Sequence, residues 1–374
     1  AVACGAVLHY DGRRMTTSRI DQAVPTFSVG DAIGNHALAL RAILRRHGVT
    51  SEIFARAHHP QLKRESRPWS EYAAVDAPGN VCLFHFSIGT PVAEDFRWLR
   101  ARRVVVYHNI TPPEFARGIS PQMEHECRLG REQLRQLAGC TELAVTVSEF
   151  NRRELEAAGF ARTAVVPIVV DFADHERQEP AAEVLARWRD GRTNILHVGR
   201  FAPNKRLEQL VRAFHCYRRL DPHSRLLLVG GTAGLENYAA GVRELALALG
   251  DHDVRVVGHV EFRQLVAYYR LADLYATLSE HEGFCVPLLE AMHYGIPIVA
   301  RAAGAIPETL GAAGLLTDGA RPEEVAELMH LAVADRELRA RLVAAGRARL
   351  AEFAPERIER DFWALLERHG LAGR

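Results

Sequence analysis

The chain has 374 residues, enough for two or three domains at about 150 residues each, and two is the simplest count. Apolar residues make up 48% and charged residues 25%, as in an ordinary soluble globular protein, and a formal net charge of +1 excludes a bulk field aimed at nucleic acid. No apolar run reaches the roughly 20 residues a bilayer span needs. Cys4, Cys82, Cys127, Cys140, Cys216 and Cys285 are scattered, and none forms a C-x-x-C pair that would signal zinc or redox chemistry. With no leader pattern, they predict a reducing cytoplasm.

In chain order, the first eighteen residues read equally as an extra strand or a loose extension. A regular alternation then begins. "QAVPTF" leads into "SVGDAIGN", and "HALALRAILRRHG" is an amphipathic helix that stops at Gly48. "SEIFA", "VCLFHF", "RVVVYH", "LAVTVS" and "AVVPIVV" read as short buried parallel strands, being apolar on both faces. "RLGREQLRQLAG" and "EFNRRELEAAG" are helical patterns among them. The polar, Pro-containing stretch at 173–192 reads as a linker.

A second series follows: "TNILHVGR", "SRLLLVGG", "DVRVVGHV", "ADLYATLSE" and "IPIVARAAG" as strands, with helical patterns between them. The end is helical from about Pro322 to Gly370, with a break near Pro355. The fold class is therefore α/β, two doubly wound Rossmann-like domains facing a central cleft, at 1–172 and 193–355. Ligands of such sheets sit beyond the carboxyl ends of strands, so the residues after each strand are the ones to inspect.

Two places stand out. In "LHVGRFAPNKRLEQL", Gly199 and Arg200 turn after a strand and Lys205 precedes a helix. Cations beside a helix N-terminus suit a diphosphate, while the alternative is a solvated basic turn. In "SEHEGFCVPLLEAMHYG", Glu282 lies in a loop and Glu290 about one turn into the helix that follows. Gly283 lets backbone approach a ligand, and two carboxylates at different heights accept hydrogen bonds from vicinal hydroxyls. A helix-dipole role would explain Glu290 but leave Glu282 without a task.

Here the sequence resembles a known family. "HEGFCVPLLEAMHYGIPIVARAAGAIPE" looks like the E-x7-E signature region of retaining GT-B fold glycosyltransferases of family GT4, and "VGRFAPNKRLEQLVRAF" is similar to that family's "GR…K…L…A" segment. "GHVEFRQLVAYYRLADLYATLS" and "VSEFNRRELEAAG" resemble further stretches, in the right order, from about residue 20 onward. The resemblance implies an acceptor-binding N-terminal domain, a nucleotide-sugar-binding C-terminal domain, and a C-terminal helix at about 356–374 that packs back on the first. Glu290 would bind the ribose hydroxyls of a nucleoside-diphosphate sugar, and Glu282 a hydroxyl of the sugar. The backbone at Gly283, Phe284, Cys285 and Val286 would sit near sugar and phosphate. Gly199 would lie in the phosphate turn, with Arg200 and Lys205 neutralising the diphosphate. Gly30 would match the loop by which the N-terminal domain approaches that group. His108 would face the donor sugar and the acceptor.

The sequence departs from the family where glycine usually stands at Cys285 and where the usual Gly-Gly is Gly30-Asp31, which leaves Asp31 as acceptor contact, base or loop anchor. "HNITPPEFARGISPQMEHECRLG" is not generic and is expected to shape the acceptor pocket. His85 reads as a satisfied core histidine, and His36 and His259 stay open. With two cations at the diphosphate and no DxD-like pair, no metal and no cofactor are expected. The Arg-rich "RWLRARR" and "LRRHG" fit either a solvated face or peripheral docking on an anionic inner membrane face. The implied reaction moves a sugar to a hydroxyl of a small-molecule, glycan or lipid-linked acceptor, with retention. The competing readings are a sugar-nucleotide epimerase on the same fold and a non-catalytic sugar-nucleotide-binding protein. A nicotinamide oxidoreductase is excluded by the lack of G-x-G-x-x-G after a strand.

Overall fold

The computed structural model describes residues 19–28, 30–319 and 321–372, so the first eighteen residues and their two readings lie outside the described residues. The N-terminal sheet is built from β1 (Ile20–Phe27), β2 (Ile53–His58), β3 (Arg67–Pro68), β4 (Val81–Phe86), β5 (Arg102–Tyr107), β6 (Leu143–Thr146) and β7 (Thr163–Val165). Its order is β3-β2-β1-β4-β5-β6-β7, and every pairing is parallel. The second sheet holds β8 (Thr193–Val198), β9 (Ser224–Val229), β10 (Val254–Gly258), β11 (Leu274–Thr277), β12 (Ile298–Arg301) and β13 (Leu315–Thr317), again all parallel, in the order β10-β9-β8-β11-β12-β13.

Central strands are apolar on both faces because helices cover both. All six residues of β4 and all six of β9 are buried. The strand order reverses between β1 and β4 in the first sheet and between β8 and β11 in the second. Connections leave opposite faces at such a point and open a crevice beyond the carboxyl ends of the strands. Both "SVGDAIGN", which follows β1, and "GRFAPNK", which follows β8, start there.

The stretch expected as a linker is not a free loop. It forms the helices Ala173–Arg177 and Ala182–Trp188. Val184 and Trp188, four residues apart, bury one face of the second helix. The Arg225 guanidinium lies over the Trp188 ring at 4.9 Å, and Ala181 donates its N–H to Arg263 O at 3.0 Å. This segment is thus part of the cover of the second sheet. The run "AVVPIVV" is a strand only to Val165, because the chain crosses between the domains from there.

Three helices finish the chain, Pro322–Ala334, Arg336–Glu352 and Pro355–Arg368. The last lies against the N-terminal domain. Trp363 stacks on His47 at 4.0 Å, Arg46 pairs with Glu359, and Arg102 donates to His369 O at 3.1 Å. Among the described residues no helix is long and apolar enough to cross a membrane.

Candidate active site

Beyond β8, a turn at Pro203–Lys205 delivers Lys205 to the mouth of the second sheet's switch point. Beyond β11, the loop 278–285 delivers Glu282 to the same place. Lys205 Nζ and Glu282 Oε1 are 2.5 Å apart, with 19% and 10% of their side chains exposed. Burial alone would lower the Lys205 pKa, but the Glu282 carboxylate holds it above the usual lysine value. The Glu282 backbone is fixed from behind: its carbonyl accepts the Ala305 N–H at 2.9 Å. Gly304 makes this possible, since a Cβ there would lie 2.6 Å from Glu282 O.

Glu290 sits in the helix Val286–His293 and accepts a hydrogen bond from the Tyr269 hydroxyl. Its pKa is raised by burial, against the lowering effect of that hydrogen bond. His175 approaches it at 3.9 Å and bonds the Tyr294 hydroxyl at 3.1 Å. Tyr269 and His175 were not expected at the site. One lies on a helix before β11 and the other in the supposed linker, and no local pattern marks either.

The thiol of Cys285 lies among these groups. It is buried, its pKa is pushed well up, first by burial, and it feels the charges of Glu282, Lys205 and Glu290. Cys285 has φ 69°, so the backbone keeps the left-handed turn that glycine would favour. For a residue with a Cβ this conformation costs about 1–2 kcal/mol. Pro287 then stands in the first turn of the helix and Gly295 follows its end at φ 66°. Phe284 is buried against Phe353, so its side chain is core, and its carbonyl accepts the Thr309 hydroxyl at 2.6 Å. Val286 packs at the edge of the same core.

Gly283 is not open to a ligand on its α-carbon face. A Cβ there would meet Asn109 Cβ at 2.6 Å and His108 O at 2.7 Å. The two lobes touch at this point, and the close approach is between backbones. His281 Nε2 bonds Asn109 Oδ1 across the same contact. Asn109, at φ 85°, donates to Asn151 Oδ1 at 2.8 Å and Glu154 Oε2 at 3.0 Å. Glu308 of the second lobe accepts the Glu149 N–H at the start of a first-lobe helix, 2.8 Å away. Arg206 lies over Phe115 at 5.3 Å. So His108, Asn109 and Phe115 of "HNITPPEFARG" all meet the opposite lobe.

The remaining residues lie on the N-terminal side or face it. His108 presents its carbonyl to Gly283, while its imidazole turns into the first domain, stacks on His85 and bonds His85 Nδ1 through Nε2 at 2.9 Å. Gly199 accepts close packing from the neighbouring loop: a Cβ on Gly230 would fall 1.8 Å from Gly199 O. Arg200 is exposed, donates to Ala233 O at 3.2 Å, and lowers the Asp31 pKa from across the gap, though burial raises it overall. Asp31 caps the helix Ala32–Arg46, accepting from Gly34 N at 3.1 Å. The structure thus makes Asp31 an anchor of the loop, and Gly30, at φ 72°, turns the chain into it. We expect Asp31→Ala to lower unfolding free energy by about 1 kcal/mol, read from urea midpoints, because a cap of this kind is worth roughly 0.5–2 kcal/mol. An unchanged midpoint would mean the cap adds nothing.

Residues 185–349 match the family described as "Glycosyl transferases group 1". A GDP-mannose-dependent alpha-(1-6)-phosphatidylinositol monomannoside mannosyltransferase of Mycobacterium tuberculosis is 31% identical over 239 residues, 59% of this chain and 60% of that protein. A D-inositol 3-phosphate glycosyltransferase of Xylanimonas cellulosilytica is 28% identical over 390 residues, covering 90% of this chain and 91% of that protein. Anabaena HepE in complex with UDP and glucose superimposes with a TM-score of 0.74 at 18% identity, over 94% of this chain and 100% of that one. Sucrose-phosphate synthase from Thermosynechococcus elongatus does so with a TM-score of 0.72 at 18% identity, over 94% and 98%. At that identity the structural likeness speaks for the fold alone. The two facing parallel-sheet domains give this chain a GT-B fold, and its residues 185–349 are similar to the glycosyl transferases group 1 family.

Proposed function

We propose that the protein is a retaining, metal-independent hexosyltransferase of the GT4 type, moving a sugar from a nucleoside diphosphate to an acceptor hydroxyl. The observation that carries this reading is the Lys205–Glu282 pair at the switch point of the second sheet, 2.5 Å apart and almost closed to solvent. Burying two charges there is costly for a merely structural role, since apolar side chains would fill the space as well. A polar, anionic ligand gives both a use.

In this reading the diphosphate lies against Arg200, Lys205 and the Gly199 turn. Glu290, held by Tyr269, receives the ribose hydroxyls. Glu282 takes a sugar hydroxyl, beside the backbone of Gly283, Phe284, Cys285 and Val286. His108 and the Gly30–Asp31 loop close the site from the N-terminal lobe. The bond from the anomeric carbon to the diphosphate oxygen breaks as a new bond to the acceptor oxygen forms on the same face. The acceptor proton passes to the departing phosphate oxygen. Negative charge grows on that phosphate, and positioned cations stabilise it with no reorganisation at the moment of reaction. Lobe closure at Gly283 keeps water from competing. The names of the relatives make GDP-mannose and lipid-linked or inositol-bearing acceptors the first compounds to test.

The test is turnover of labelled GDP- and UDP-hexoses by wild type and Glu282→Ala. Glu282→Ala is expected to lower turnover far more than nucleotide affinity, because the contact is to the sugar. Equal loss of both contradicts the assignment. Failure of every donor to react, with tight nucleotide binding intact, favours the non-catalytic binder. Transfer is also expected to continue at an unchanged rate in excess EDTA. Loss of activity there, restored by Mg²⁺ or Mn²⁺, would mean that a hard ion bridges the diphosphate and that the cations do not suffice.

A further inference from the structure

Three histidines from three elements meet inside the N-terminal lobe. His36 lies on the helix after β1, His85 on β4 and His108 just after β5, all at the first sheet's switch point. His36 is 1% exposed and His85 is fully buried. The rings of His85 and His108 stack at 5.2 Å, and His36 stands edge-on to both, at 5.8 Å and 5.3 Å. One nitrogen from each lies within 4.8 Å of the others. Burial holds all three imidazoles neutral: the His36 pKa is pushed down to about 4, and those of His85 and His108 are well below the usual histidine value.

The hydrogen bonds around the cluster run in one direction. Gln22 donates its amide to Ala37 O at 2.8 Å, so its Oε1 is an acceptor for His85 Nε2, also at 2.8 Å. His85 therefore carries its proton on Nε2 and turns a bare Nδ1 toward the cluster. His108 donates from Nε2 to that lone pair, which leaves His108 Nδ1 bare, buried and unpartnered. Both nitrogens of His36 are also buried without a partner. A buried polar atom left unsatisfied costs about 1–3 kcal/mol. An imidazole whose far N–H is held by a fixed oxygen, as Gln22 holds His85, is the usual arrangement behind a metal ligand.

We propose that His36, His85 and His108 form a binding site for a divalent ion of the imidazole-preferring class, Zn²⁺ foremost. Neutral nitrogens select such ions over Mg²⁺ and Ca²⁺, which take oxygen. Two Zn–N bonds of about 2.0–2.1 Å at a tetrahedral angle put their nitrogens about 3.4 Å apart. His85 Nδ1 and His108 Nε2 stand at 2.9 Å, so the pair opens by about half an ångström as the ion replaces the proton between them. The His108 proton moves to Nδ1, which meets the need for three bare nitrogens with one proton left on each ring. The imidazole of His108 that would hold the ion is turned away from Gly283, which meets only the His108 carbonyl and Asn109.

The experiment uses the whole protein, stripped with a chelator, desalted and titrated with Co²⁺ and Zn²⁺. One ion per chain is expected, with the intense visible absorption of low-coordinate cobalt, unaffected by excess Mg²⁺. Gln22→Ala is expected to weaken binding by about 10–100-fold, the usual effect of removing an outer-shell partner. His36→Phe, with a folded circular dichroism spectrum, is expected to abolish it. Stoichiometric binding that persists in folded His36→Phe overturns the proposal. Should His36→Phe fail to fold, X-ray absorption of zinc-loaded wild type decides. Nitrogen ligands at about 2.0–2.1 Å are expected, and a sulfur ligand at about 2.3 Å or no bound ion overturns the site.

Discussion

Lys205→Ala is expected to slow sugar transfer by about 10²–10³-fold, the usual effect of removing one preorganised group that stabilises growing charge. The same change has a second consequence. Glu282 is 9% exposed and loses its partner, so an uncompensated carboxylate stays buried. Breaking a buried pair on one side costs about 3–5 kcal/mol, and the partial exposure here points to the low end. The two effects separate in Lys205→Met/Glu282→Gln, which removes both charges. That double variant should recover most of the stability lost in Lys205→Ala and none of the rate. The pair also sets a pH dependence. The folded-state pKa of Lys205 lies above its ordinary value of 10.5, so its contribution is complete below that pH and is lost as pH rises through the folded value. Denaturant midpoints and transfer rates measured on the same preparations check both parts. A single variant with near wild-type rate would remove the diphosphate role of Lys205.

Gly283→Ala is expected to open the lobes. The added methyl group would stand 2.6 Å from Asn109 Cβ and 2.7 Å from His108 O, and neither is the flexible end of a side chain. Overpacking inside a domain costs about 1–3 kcal/mol. Here the strain lies between lobes, and moving the lobes apart relieves it. Turnover should fall by at least tenfold, because a gap at this point admits water and withdraws His108 and the Gly30 loop. Nucleotide affinity should fall less than turnover, since most of its proposed contacts lie in the second lobe. Small-angle scattering should report a larger radius of gyration. An unchanged radius with unchanged turnover would show that the contact plays no part in closure.

Much of the fold was legible because central parallel strands are continuous apolar runs bounded by turns, as "VCLFHF" and "SRLLLVG" are. The edges were harder. The two residues of β3 and the three of β13 are too short to carry a pattern. In the linker, charges and Pro180 hid the spacing of Val184 and Trp188, two buried residues on one helical face. At the site, the order of Gly199, Arg200, Lys205, Glu282 and Glu290 along the chain followed from strand ends and the family resemblance. Asp31 was readable in principle, as an aspartate just before an apolar helical pattern is a capping signal. The partners of Glu290 were not, since Tyr269 and His175 reach it by long-range packing. Gly283 was placed beside the ligand because a sequence shows that backbone must come close, but not to what. The same limit hid the histidine cluster, whose members are 49 and 23 residues apart in sequence and adjacent only through the topology of the sheet.

The most direct measurement is a crystal structure of the protein with a nucleoside diphosphate. The account predicts the diphosphate between Arg200 and Lys205, with the ribose hydroxyls on Glu290. A nucleotide bound away from the switch point of the second sheet, or a diphosphate that touches neither cation, would contradict it.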